Sequence, residues 1–217
     1  LGVSIYTVNN HRKKGGLSSV HGDKSLVRLA SPRDRNSIRR DAYLLRLKLG
    51  LKDTPYFPIV EFLENVLPEI DTSFHIEVLE DFELLGVQAE YVPSFNVIRI
   101  KNSVYEAAVS GYWWARATLA HELGHYYFHD EKSVRYAKLD ACKKVPPDFD
   151  PERQANVFAA ELLAPIHLID GMSEREIGRR CGVSYEIAKR QLRVLERIKL
   201  RKQNKHLLKK KRSSPKA

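Results

Sequence analysis

A chain of 217 residues is long enough for one well-buried domain with small appendages and short for two full-sized ones. Hydrophobic residues at 43% and charged residues at 29% give an ordinary soluble balance. No apolar run nears the roughly 20 residues of a membrane span or forms a signal-peptide block, so the chain is expected to work in the cytoplasm and away from membranes.

The formal charge of +10 belongs to the two ends. Residues 1–50 hold 11 Lys and Arg against 3 acidic residues and 199–217 hold 9 against none, which leaves the middle at net −7. Cys142 and Cys181 sit in no C-x-x-C pair and read as reduced thiols. Residues 1–30, with HRKKGG at 11–16 and no sustained period, read as a flexible basic arm.

A helix is expected from Ser31 or Ser37 to about Gly50, with Ile38, Tyr43, Leu44 and Leu47 near helical spacing. A second, short helix starts at Pro58, turns Ile59, Phe62, Leu63 and Val66 to one face, and ends at Pro68. Segments 74–79, 86–92 and 96–101 are rich in β-branched and aromatic residues and read as strands, the last two joined by a hairpin through Pro93–Asn96. A long helix follows from Tyr112 or Trp113 to His129, then another from Pro151 to Leu163, closed by Pro165. Strands first and helices after predict a small α+β fold with a short antiparallel or mixed sheet.

The long helix contains His121-Glu122-Leu123-Gly124-His125, an H-E-x-x-H pattern. Four residues of helix rotate by about 400°, so the two histidines lie one turn apart on one face and can share an ion. Imidazole suits Zn²⁺, and zinc lowers the pKa of its water to about 7. Glu122 stands about 100° round from His121, placed to take that water's proton as general base. The pattern also arises by chance on amphipathic helices, but Ala115, Ala117, Leu119 and Ala120 bury this one, and buried histidines beside a glutamate need a reason.

A catalytic zinc takes three protein ligands. His129 lies another turn on, where a straight helix cannot bend it to the same ion, and reads as a capping or surface histidine. The next helix, ERQANVFAAELLAP, offers Glu152 near its start, with Asn156 one turn on as an outer partner that orients a ligand. Asp148, Asp150 and Glu161 are rivals that spacing alone leaves open.

RATLAHELGHYYFH at 116–129, ERQANVFAAELLAP at 152–165 and GMSEREIGRRCGVSYEIAKRQL at 171–192, in this order, resemble the ImmA/IrrE family of gluzincin-like metallo-endopeptidases. The resemblance covers roughly 35–197. It implies that Glu152 is the third ligand of one zinc ion and that the substrate is a specific regulatory protein, such as a helix-turn-helix repressor. Ala117 and Ala164 depart from the phenylalanine and methionine usual in the family, both at packing positions.

Residues 171–198 also read as helix-turn-helix-like. Ser173 and Glu176 form a capping box, Gly182 makes the turn, and Ser184 caps a second helix with Ile187, Ala188, Gln191 and Leu192. Its Tyr185, Lys189, Arg190 and Arg193 would face DNA in a reader, whereas the family architecture uses the pair to frame the peptidase core. Residues 199–217 read as a basic disordered tail able to touch phosphates non-specifically. The organisation expected is thus arm 1–30, zinc metallopeptidase core 31–170, helical segment 171–198 and tail 199–217. The competing reading is a DNA-binding transcriptional regulator with a vestigial or secondary peptidase site. For the oxyanion, Tyr126, Tyr127, Tyr136 and His167 are chemically able.

Overall fold

Asp34, and neither Ser31 nor Ser37, opens helix α1 (Arg35–Lys48): its side chain accepts from the Ser37 amide and satisfies one of the free N–H groups of the first turn. Those descriptions come from a computed structural model covering residues 24–130, 134–140 and 144–213. Most of the basic arm, Cys142 and residues 214–217 lie outside the described residues. The end of α1 falls as expected, at Gly50 with φ +71°.

The buried face of α1 is rotated from the predicted one. Ile38 is fully buried, but Tyr43, Leu44 and Leu47 are exposed, and Ala42, Leu45 and Arg46 point inward instead. A charged residue in the core defeats a reading by hydrophobic period. Arg46 is tolerated because it donates to the Leu162, Thr54 and Pro55 carbonyls, although burial pushes its pKa down to about 10.

Residues 24–30, assigned to the arm, form strand β1 (Lys24–Ala30), paired antiparallel with β5 (Val134–Asp140). Neither strand was expected, because interleaved lysines and arginines dilute both short alternations. The second helix is also more broken than its apolar face suggests. It runs as α2 (Ile59–Glu61), a π turn (Phe62–Val66) and α3 (Leu67–Ile70). Pro68 does not end it, since the π turn re-phases the chain and puts the proline in a first turn, where its missing N–H costs nothing.

The three predicted strands are present as β2 (His75–Leu79), β3 (Ala89–Val92) and β4 (Val97–Lys101). Their order is β2-β4-β3, parallel between β2 and β4 and antiparallel between β4 and β3. The hairpin turn uses Asn96 at φ +49°, a left-handed position that asparagine tolerates. Helix α4 (Asn102–Val109), not expected, leads to α5 (Trp113–Phe128), which packs on α6 (Pro151–Leu163). The fold is α+β, with α5 and α6 bearing the core of Leu119, Leu123, Phe158 and Leu162.

Helices α7 (Glu174–Cys181) and α8 (Tyr185–Ser213) have the predicted caps at Ser173 and Ser184 and the turn at Gly182, φ +65°. Ile177, Cys181, Val183 and Ala188 join the main core, and Gln191 donates to the Ala160 and Ala164 carbonyls at the end of α6. Cys181 is a free, buried thiol. Buried Arg116 of α5 lies over the Tyr56 ring and donates to the Phe57, Cys181 and Gly182 carbonyls, tying the pair to the motif helix. α8 continues through residues 199–213, where a disordered tail was expected. From 185 to 213 there is no glycine or proline, and its lysines, arginines, leucines and glutamines are good helix formers. Among the described residues no helix is long and apolar enough to cross a membrane.

Candidate metal centre

The small apolar residues Ala115, Leu119, Ala120 and Leu123 sink α5 into the core, as the motif reading requires. Gly124 then sets how near α6 comes. A Cβ there would lie 2.9 Å from the Ala155 Cα and 3.2 Å from its carbonyl oxygen, so the glycine is what permits backbone contact between the helices. His121 and Glu152 each lie three residues before this contact. Asp150 caps α6 by accepting from the Glu152 and Arg153 amides, and Pro151 suits its first turn.

The side chains of His121, His125 and Glu152 meet. The Nε2 atoms of His121 and His125 are 3.0 Å apart, and the Glu152 oxygens stand 3.3 Å from His121 Nε2 and 3.5 Å from His125 Nε2. Tetrahedral donors on zinc bonds of 2.0–2.1 Å are separated by about 3.3 Å, so the three atoms fit one such ion. Among the described residues these three form the group able to hold a metal. The neighbouring rings of His121 and His125 hold the Glu152 carboxyl far below the usual range, in the ionised form a ligand needs.

Glu122 is buried, and one of its oxygens accepts from the backbone N–H of Tyr91 on β3 at 2.9 Å. Burial raises its pKa, against the pull of His121 and His125. Asn156 lies beside the His121 ring and favours its charged form. His129 is fully buried, which corrects its reading as a surface histidine. Its backbone N–H caps α5 on the His125 carbonyl, and its ring lies between His125 (Nδ1 to Nδ1, 2.9 Å) and Gln154 (Nε2 to Oε1, 3.0 Å). Burial and His125 push its pKa down to about 4, so the ring is neutral.

The rivals of Glu152 are engaged elsewhere. Glu161 binds Arg39 through both oxygens at 3.0 Å and Arg35 at 3.3 Å, Asp150 is the cap, and Asp148 pairs with Arg153. Of the oxyanion candidates, Tyr126 donates to Asp71, Tyr127 stacks on Phe158, and His167 bonds the Lys52 carbonyl. The Tyr136 side chain lies outside the described residues.

Sequence reasoning missed Gly124, His129, Gln154 and the Tyr91 amide. The first three had a signal in their spacing from the motif residues, and the amide had none. Gly124→Ala is expected to force α6 back by tenths of an ångström. The measurable result is at least about tenfold weaker zinc binding, read by chelator competition, with a stability loss of about 1–3 kcal/mol in denaturant melts.

Residues 115–193 match the family described as IrrE N-terminal-like domain. A search of curated protein sequences finds no significant match. Among solved structures, a Mycobacterium tuberculosis transcriptional regulator aligns at TM-score 0.43 and 14% identity over 70% of this chain. The chain spans 45% of that protein's length, and a likeness of this size carries no functional argument. The matched segment contains the whole His121, Glu122, His125 and Glu152 set, so it is over residues 115–193, with the motif helix and the next helix, that the chain is similar to the IrrE N-terminal-like domain.

Proposed function

We propose that the protein is a zinc-dependent endopeptidase that cuts a peptide bond in one specific regulatory protein in the cytoplasm. In this reading His121, His125 and Glu152 hold the ion and Glu122 is the general base. The observation that carries it is the convergence of three donor atoms at zinc spacing beside a buried carboxylate. Zinc, when bound there, supplies a Lewis acid and makes water a nucleophile near neutral pH.

The chain's own residues do the rest. The Tyr91 N–H fixes one Glu122 oxygen, so the carboxylate keeps one orientation while the other oxygen takes the proton of the attacking water. Glu122 then hands the proton to the departing amine as the C–N bond breaks. Burial favours the protonated form between these two steps. Asn156 and His129 hold the rings of His121 and His125.

The family resemblance supports a helix-turn-helix repressor as substrate, and a middle segment of net −7 suits a basic DNA-binding partner. The basic end of α8, with Lys199, Arg201, Lys202 and Lys205, is assigned to non-specific phosphate contact. The DNA-reader alternative loses weight because Ala188 and Gln191 face the core and Arg190 donates to the Asn156 carbonyl.

The test is to incubate the zinc-loaded protein with the helix-turn-helix repressors of its own cell, beginning with any encoded beside its gene. A single cut in one of them is expected, with none from metal-stripped protein. All of them left intact, or cut equally without metal, overturns the reading.

A further inference from the structure

Gln154 is fully buried, and its amide nitrogen lies 2.8 Å from the Ser31 carbonyl oxygen and 2.7 Å from that of Asp148. Carbonyl oxygens only accept, so both amide protons are spent there and Oε1 is the end that meets His129. Oε1 also only accepts. His129 Nε2, 3.0 Å away, must therefore carry a proton. If His129 Nδ1 also carried a proton, His125 Nδ1 would have to accept and the ring's one proton would sit on Nε2, in the ligand direction; a His125 that holds an ion through Nε2 therefore makes His129 Nδ1 the acceptor. Its partner at 2.9 Å, His125 Nδ1, must be the donor.

From this chain of forced roles we infer that the Ser31 and Asp148 carbonyls, through Gln154 and His129, fix His125 as the Nδ1–H tautomer. The Nε2 lone pair of His125 is thereby presented to the space it shares with His121 and Glu152. His129 and Gln154 are positioning residues: neither reaches the ion, and both decide which nitrogen of His125 is free to bind it. The relay also links the centre to the end of β1, since Ser31 follows Ala30 directly, and to the turn before α6 that contains Asp148. In the opposite tautomer the Nε2 proton would occupy the ligand direction, and binding zinc would require breaking the relay.

The inference rests on the metal site proposed above, and its test separates the two. Long-range proton–nitrogen NMR spectra of the full chain, labelled with ¹⁵N-histidine, report each ring's tautomer directly. His129 is expected to be protonated on Nε2 and bare on Nδ1 both without metal and with zinc, and His125 to be protonated on Nδ1 when zinc is present. A proton on His129 Nδ1 in the metal-free protein overturns the relay whether or not zinc binds. Failure of the wild type to bind zinc overturns the peptidase reading and leaves the His129 tautomer to be judged alone.

Two substitutions supply the affinity readout. His129→Leu keeps bulk and removes the acceptor, and is expected to weaken zinc binding by about 10–100-fold. His129→Asn places a carbonyl oxygen near the lost Nδ1 and is expected to bind zinc close to wild-type strength. A role in packing alone predicts no rescue by asparagine, so equal loss or equal retention in the two variants overturns the inference.

Discussion

Glu122→Gln is expected to bind zinc as the wild type does and to cleave its substrate about 10²–10⁴-fold more slowly, equivalent to about 3–5 kcal/mol of barrier. The side chain lies outside the trio of donor atoms, so the ligand set is untouched. Glutamine keeps an oxygen that can accept from the Tyr91 N–H, so the contact between β3 and α5 survives. What it loses is the ability to take up a proton. Zinc content by atomic absorption and single-turnover cleavage measure the two properties separately. A variant that retains zinc and cuts at the wild-type rate would remove Glu122 from the mechanism; one that loses zinc would show that its negative charge helps hold the ion.

The parts of the site that were legible in the sequence are those built from local spacing. His121 and His125 are one turn apart by helical arithmetic, and the caps at Ser173 and Ser184 follow from short-range hydrogen bonding. Glu152 was legible by resemblance, since spacing left Asp148, Asp150 and Glu161 open. Only tertiary contacts disqualify these rivals, Glu161 most plainly through Arg35 and Arg39 from α1, more than 120 residues earlier. The face of α1 was misread for a related reason: Arg46 is stabilised in the core by carbonyls of the loop after α1 and of α6, partners that periodicity does not contain. Strands β1 and β5 pair across about a hundred residues, and their mixed polar sequences give neither strand a strong signal alone. His129 shows both limits at once. It lies outside the candidate group of His121, His125 and Glu152, as its position a turn beyond His125 leads one to expect, but its burial and its bond to Gln154 depend on how α6 packs.

Glu152→Ala and Glu161→Ala are expected to have opposite effects, although the two residues lie on the same helix. Glu152 is 59% exposed and its partners are the two histidines, so its removal takes away the proposed third metal ligand and little else. Zinc affinity should fall by about 10²-fold or more. Stability of the metal-free protein should stay within about 1 kcal/mol, because exposed pairs with histidine contribute little. Glu161 is 1% exposed and binds two arginines that keep part of their surface in water. Its loss leaves two charges without their partner and opens the α1–α6 junction. The expected cost is about 2–3 kcal/mol, toward the lower end for a buried pair because Arg35 and Arg39 can turn toward solvent. At this chain length that lowers the melting temperature by about 5–10 °C. Zinc binding to the folded fraction of Glu161→Ala should be near normal, since the donors on α5 and the first turn of α6 are intact. Melting curves of the metal-free proteins and chelator competition at a temperature where both variants are folded give the comparison. If Glu161→Ala loses zinc while Glu152→Ala retains it, the third ligand has been assigned to the wrong turn of α6.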